Sequence, residues 1–142
     1  MLKKITYTEY QLFAEAWMCL AVARLLLIFL PFKKLAPLLG KTVTSETSTV
    51  IPSDNTIALQ QISIAISRGC RYAFWRTKCF EQALAAKLML KKRGISSLLY
   101  FGVYKNDDSL KLNAHAWVIC KGMIITGSKN LELYKVVSRF EG

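Results

Sequence analysis

The chain has 142 residues and carries 20 Lys and Arg against 9 Asp and Glu, a formal net charge of +11, with 53% of its residues hydrophobic. That length supports one hydrophobic core and one catalytic-sized domain, and the apolar content excludes an intrinsically disordered chain. Four scattered cysteines (Cys19, Cys70, Cys79, Cys120) and a single histidine exclude the usual zinc sites. No cofactor or metal is expected. The positive balance suits an acidic partner, whether nucleic acid, an anionic membrane or an acidic peptide. The basic residues form no long run or aromatic-interleaved arginine stripe, so nucleic-acid binding is not supported. With no cleavable secretory signal evident, a cytoplasmic setting with free thiols is expected.

Residues 1–41 read as an N-terminal helical region. Its apolar run Ala16 to Leu30 carries Arg24, follows Glu15 and stops at Pro31. A central charge and an early proline argue against a membrane span and for a buried helix. A second piece, basic at Lys33-Lys34, continues to Gly40 and suits docking on a membrane or a partner protein. Residues 42–55, rich in Ser and Thr with Pro52, read as a linker. Residues 56–142 then form the core of what is expected to be one compact unit.

Within that core, Thr56 to Ala73 has a helical pattern with apolar positions at Ile57, Ile62, Ile64, Ala65 and Ile66, capped by Ser53 or Asp54. A second helix runs from about Lys78 to Arg93 with Phe80, Ala83, Leu84, Leu88 and Leu90 inward, and Lys91-Lys92-Arg93-Gly94 closes it. From Ile95 the period falls to two. Strands are expected over Ser97–Tyr104, Leu110–Ile119, Met123–Thr126 and Leu131–Phe140, with turns at Asn106–Ser109 and Lys121-Gly122. Helices followed by an antiparallel meander give an α+β fold.

Two residues in this framework carry chemistry. Cys79 opens a helix, where the positive end of the dipole, with Arg76 and Lys78 beside it, favours thiolate. His115 lies in an alternating strand between Ala114 and Ala116, sharing a face with Asn113 and Trp117. A helix-start cysteine and a strand histidine are the components of acyl transfer, with the thiolate as nucleophile and imidazole as base. Cys19, Cys70 and Cys120 have no such setting and read as structural.

The blocks Cys79-Phe80-Glu81-Gln82-Ala83-Leu84-Ala85, Met89-Leu90-Lys91-Lys92-Arg93-Gly94-Ile95, Tyr100-Phe101-Gly102-Val103 and Ala114-His115-Ala116-Trp117-Val118 occur in order. Together they resemble the transglutaminase-like leader peptidases of lasso-peptide biosynthesis, the family of the microcin-processing B protein in its split form. The likeness is densest from Trp75 to Gly127, and the stretch from Ala21 to Phe32 resembles the family's helical N-terminal region. It implies a papain-like or transglutaminase-like core in which Cys79 attacks the bond between leader and core of a ribosomally made precursor and His115 serves as base. It also implies a separate leader-recognition protein and a downstream ATP-dependent lasso cyclase that closes the macrolactam.

The chain departs from the family at one place. Many relatives carry an aspartate about a dozen residues after the histidine, and here that position is Gly127, between Thr126 and Ser128. Thr126, Ser128, a backbone carbonyl, or no third group at all remain as ways of orienting the ring. Asp107 and Asp108 belong to the hairpin turn. The oxyanion donor implied is the backbone N–H of Cys79, with no side-chain donor assigned beyond the neighbourhood of Trp75. The competing readings are a noncatalytic, membrane-associated adaptor and a transglutaminase or amidase using the same Cys/His pair.

Overall fold

The computed structural model describes residues 6–42, 56–75, 77–105, 112–128 and 131–141. Most of the expected linker, the caps Ser53 and Asp54, Arg76 and the Asn106–Ser109 turn lie outside the described residues.

Helix α1 (Tyr7–Phe29) starts at Thr6, whose Oγ1 accepts from the Glu9 N–H while the Glu9 carboxylate accepts from the Thr6 N–H, a reciprocal capping box. It ends where Leu30 goes extended ahead of Pro31, the conformation that a following proline imposes. Helix α2 (Phe32–Leu39) follows at once and stops at Gly40, φ 111°. Lys41–Thr42 then form the short edge strand β1. Helix α3 (Thr56–Tyr72) turns Leu59, Ile62, Ala65 and Ile66 inward, whereas of the apolar positions read from the sequence Ile57 and Ile64 face solvent. Gly69 lets α3 lie close on α1, since a Cβ there would come within 2.9 Å of the Leu20 side chain. Ala16, Leu20 and Ala23 form the matching stripe of α1.

Helix α4 (Cys79–Lys92) is buried nearly all round: Glu81, Ala83 to Lys87, Met89 and Leu90 are all inaccessible. It lies between α1 and the sheet, which is why its sequence has no clean polar face. Its end is closed by the Ile95 N–H bonding back to the Leu90 carbonyl and by Gly94 at φ 70°.

The sheet comprises β2 (Leu98–Lys105), β3 (Leu112–Cys120), β4 (Met123–Thr126) and β5 (Lys135–Glu141) with β1 at one edge, in the order β1-β5-β2-β3-β4 and antiparallel throughout. The fold is α+β, as expected, but the sheet is not a simple meander. Leu131–Leu133 form a short 3₁₀ turn, and β5 crosses back to pair with β2 instead of extending the sheet beyond β4. Lys121-Gly122 makes the β3–β4 turn with both residues at positive φ, 51° and 81°, which matches the twist of the flanking strands. Leu99, Ala116, Val118, Cys120, Ile125 and Phe140 join the helices in one core. Fully burying a leucine-sized side chain there contributes about 1.5–3 kcal/mol.

Ion pairs fasten α1 to α4 and its C-cap, Lys92 standing 3.9 Å from Glu15 among them. Glu15 receives both amine groups of Arg93 at 2.7 and 2.6 Å, and Arg24 reaches the buried Glu81 at 3.3 Å. By length and composition α1 is apolar enough to cross a membrane, with a mean hydropathy of 2.0 over its most apolar stretch. Its charges Glu15 and Arg24 are paired with Arg93 and Glu81, while only 17% of that apolar stretch is buried in the fold.

Candidate active site

One cleft of about 420 Å³ opens between α3, the start of α4 and the strands β3 and β4. Cys79 and His115 both line it, with Ser63, Gln82, Thr126 and Gly127 among the surrounding residues. The two residues singled out from sequence therefore share a cavity although 36 positions separate them.

Cys79 is the first residue of α4, behind the extended Lys78 cap. Its N–H belongs to the first turn, whose donors have no carbonyl within the helix, so it is free to bond an incoming oxygen. Cys79 is half-buried and lines the cleft. The approach to it is stiffened by Gln82, whose side-chain amide donates to the Thr77 carbonyl at 2.9 Å, and by the Gln82 N–H bonding to the Lys78 carbonyl at 3.0 Å.

His115 sits in β3 directly opposite Gly102 of β2. The absence of a side chain at Gly102 has a structural reason: a Cβ would come within 2.8 Å of the Trp117 ring and 2.9 Å of Tyr134. Those rings hold the imidazole, Trp117 stacked at 5.7 Å and 27°, Tyr134 at 5.0 Å and 31°. The strand register shifts between Phe101 and Gly102, a bulge beside the histidine. Trp117 is also buried against Tyr100, stacked at 5.5 Å, so it is both core and support for the ring.

Nε2 of His115 lies 2.8 Å from the Gly127 carbonyl oxygen. A carbonyl can only accept, so in the neutral ring the proton belongs on Nε2 and the lone pair on Nδ1. Gly127, the position at which the sequence resemblance implied an aspartate, thus holds the ring through its backbone. Gly127 has φ 76°, and a Cβ would fall 2.6 Å from the Ala116 carbonyl. Glycine is what that geometry admits. Thr126 does not take the role: its hydroxyl is buried and without a partner among the described residues. No hydrogen bond joins Cys79 to His115 among the described residues. The two groups face one cleft, as nucleophile and base often do before a substrate draws them together.

The other three thiols differ from Cys79 in setting. Burial pushes the Cys19, Cys70 and Cys120 thiols up. Sequence reasoning did not find the α3 wall, where Ser63 donates to the Ile125 carbonyl at 2.8 Å and Ser67 lines the cleft one turn later. A polar pair four residues apart in an isoleucine-rich helix was the available signal. Tyr134 carried none and Gly102 stood out only as part of the Tyr100–Val103 block, because their closeness to His115 depends on strand order.

The family model of the transglutaminase-like superfamily matches residues 23–139. The chain belongs to that superfamily, whose members are often cysteine-dependent enzymes. No curated protein matches the chain, and no solved structure does.

Proposed function

We propose that this protein is a cysteine peptidase that removes the leader from a ribosomally synthesised lasso-peptide precursor, leaving the core peptide for macrolactam closure. The observation that carries the reading is the Nε2–Gly127 bond, which leaves Nδ1 as the basic nitrogen in a cleft also lined by a helix-start cysteine.

In this reading Nδ1 takes the Cys79 proton and the thiolate attacks the scissile carbonyl. The developing oxyanion is met by the Cys79 N–H. The imidazolium returns its proton to the leaving amine of the core peptide, and the leader stays as a thioester on Cys79. Water, losing a proton to Nδ1, then attacks that thioester; the leader leaves as a carboxylic acid and the thiol is restored. The Gly127 carbonyl orients the imidazole throughout but adds no negative charge. The dyad therefore relies on geometry and on the two flanking rings.

Substrate identity rests on the four sequence blocks rather than on the cleft. The same blocks argue for a separate leader-recognition protein that presents the precursor and for the ATP-dependent cyclase as the next enzyme. Mass spectrometry of a precursor incubated with the protein, with and without the recognition protein, tests the proposal. A single cut at the leader–core junction, faster with the recognition protein and lost in Cys79→Ala, is expected. Equal rates with and without the recognition protein would remove that partner from the account. A product carrying an added amine instead of water would make the chain a transglutaminase, and no product from either folded form would favour the adaptor.

A further inference from the structure

The charged side chains of α1 and its apolar ones are sorted onto different sides. Glu9 is engaged in the cap, and Glu15 and Arg24 are turned to α4. On the side away from the core, Tyr7, Met18, Val22, Leu25, Ile28 and Phe29 are all exposed, Phe29 at 75%. Positions 11, 14 and 21 on that side are Gln, Ala and Ala. The face thus runs the length of a 23-residue helix, about 35 Å, without a charge. Soluble monomers seldom leave so long an apolar strip in water. Its rim carries Trp17, 6.2 Å from Phe74, which is itself 88% exposed. At its end, Lys33 and Lys34 of α2 stand exposed just past the Pro31 turn.

We propose that this face is an interfacial membrane anchor: α1 lies in the plane of an anionic bilayer with its outer side among the acyl chains. The aromatic rim then sits at headgroup depth, and Lys33 and Lys34 meet lipid phosphates. The chain's charge of +11 complements such a surface. A protein partner would need polar groups on this face to fix its register, and between Tyr7 and Phe29 the outer side offers almost none. A span is disfavoured because Glu15 and Arg24 would have to leave Arg93 and Glu81. The anchor stands independently of the peptidase reading.

The test is sedimentation of the full chain with vesicles of phosphatidylcholine plus phosphatidylglycerol, and with phosphatidylcholine alone. Binding to the mixed vesicles at least about 10-fold tighter than to the neutral ones is expected. Leu25→Glu with Phe29→Glu should abolish binding, and Lys33→Gln with Lys34→Gln, which touches only exposed side chains, should weaken it roughly 10- to 30-fold. An alkaline carbonate wash should release the protein. Absence of binding to the mixed vesicles, or binding unchanged by the lysine variant, would overturn the proposal. Retention after the wash would do the same in favour of a span, and a soluble dimer dissolved by the glutamate variant would assign the face to a second copy.

Discussion

Gly127 joins two demands at one residue. Its carbonyl must reach the His115 ring, and its backbone must turn through φ 76° within 2.6 Å of the Ala116 oxygen measured from where a Cβ would be. A side chain can be added only by moving the carbonyl. Gly127→Ala is expected to cost about 1–3 kcal/mol of stability from backbone strain and to lower kcat about 10- to 100-fold through misplaced imidazole, with KM changing less. Urea unfolding and steady-state kinetics on a precursor check the two parts. From sequence, Cys79 and His115 stood out because each was the lone residue of its kind in a suggestive local pattern. The orienting group did not, since every residue has a carbonyl and only a fold says which one faces the ring.

Helix α4 illustrates what a local pattern hides. Its limits were legible to within a residue, from the polar start at Thr77-Lys78 and the Lys91-Lys92-Arg93-Gly94 finish. Its burial was not. A helix with one inward face was expected, yet α1 covers its back, so Glu81 and Lys87 end up 3% and 2% exposed. Glu81 is served by Arg24, and the Lys87 amine donates to the Ser97 carbonyl. Burial lowers the Lys87 pKa from 10.5 to about 8, so the folded protein gives up this proton before the unfolded chain does. Below pH 8 both states hold the proton and folding bears the cost of burying the ammonium. Between pH 8 and 10.5 that cost fades and this residue's contribution to stability rises with pH, by on the order of 3 kcal/mol in all. Cys19, Cys70 and Cys120 act oppositely above pH 9, because their raised folded values let the unfolded chain ionise first. Urea midpoints should therefore increase from pH 8 to 9 in the wild type and stay flat in Lys87→Met. A parallel rise in both would refute the assignment.

At the scale of the whole molecule, the order of helices and strands followed from periodicity and turn residues, and the strand crossing did not. Pairing of β5 with β2 depends on contacts about 40 residues apart that no local pattern encodes. That crossing is what brings Tyr134, just ahead of β5, onto His115 and sets Gly102 at the centre of the sheet. The site is thus assembled from α3, the first turn of α4, β3 and the end of β4, with each element fixed by the shared core. In the proposed peptidase this assembly sets one thiol of four, Cys79, across a cleft from an imidazole that can serve as its base. Timed alkylation by iodoacetamide at neutral pH, read at each cysteine by peptide mass spectrometry, tests it without any substrate. Cys79 should react at least about 10-fold faster than Cys19, Cys70 and Cys120, and His115→Ala should remove most of that advantage. Equal rates at Cys79 and Cys19, or a Cys79 rate indifferent to His115, would contradict the account.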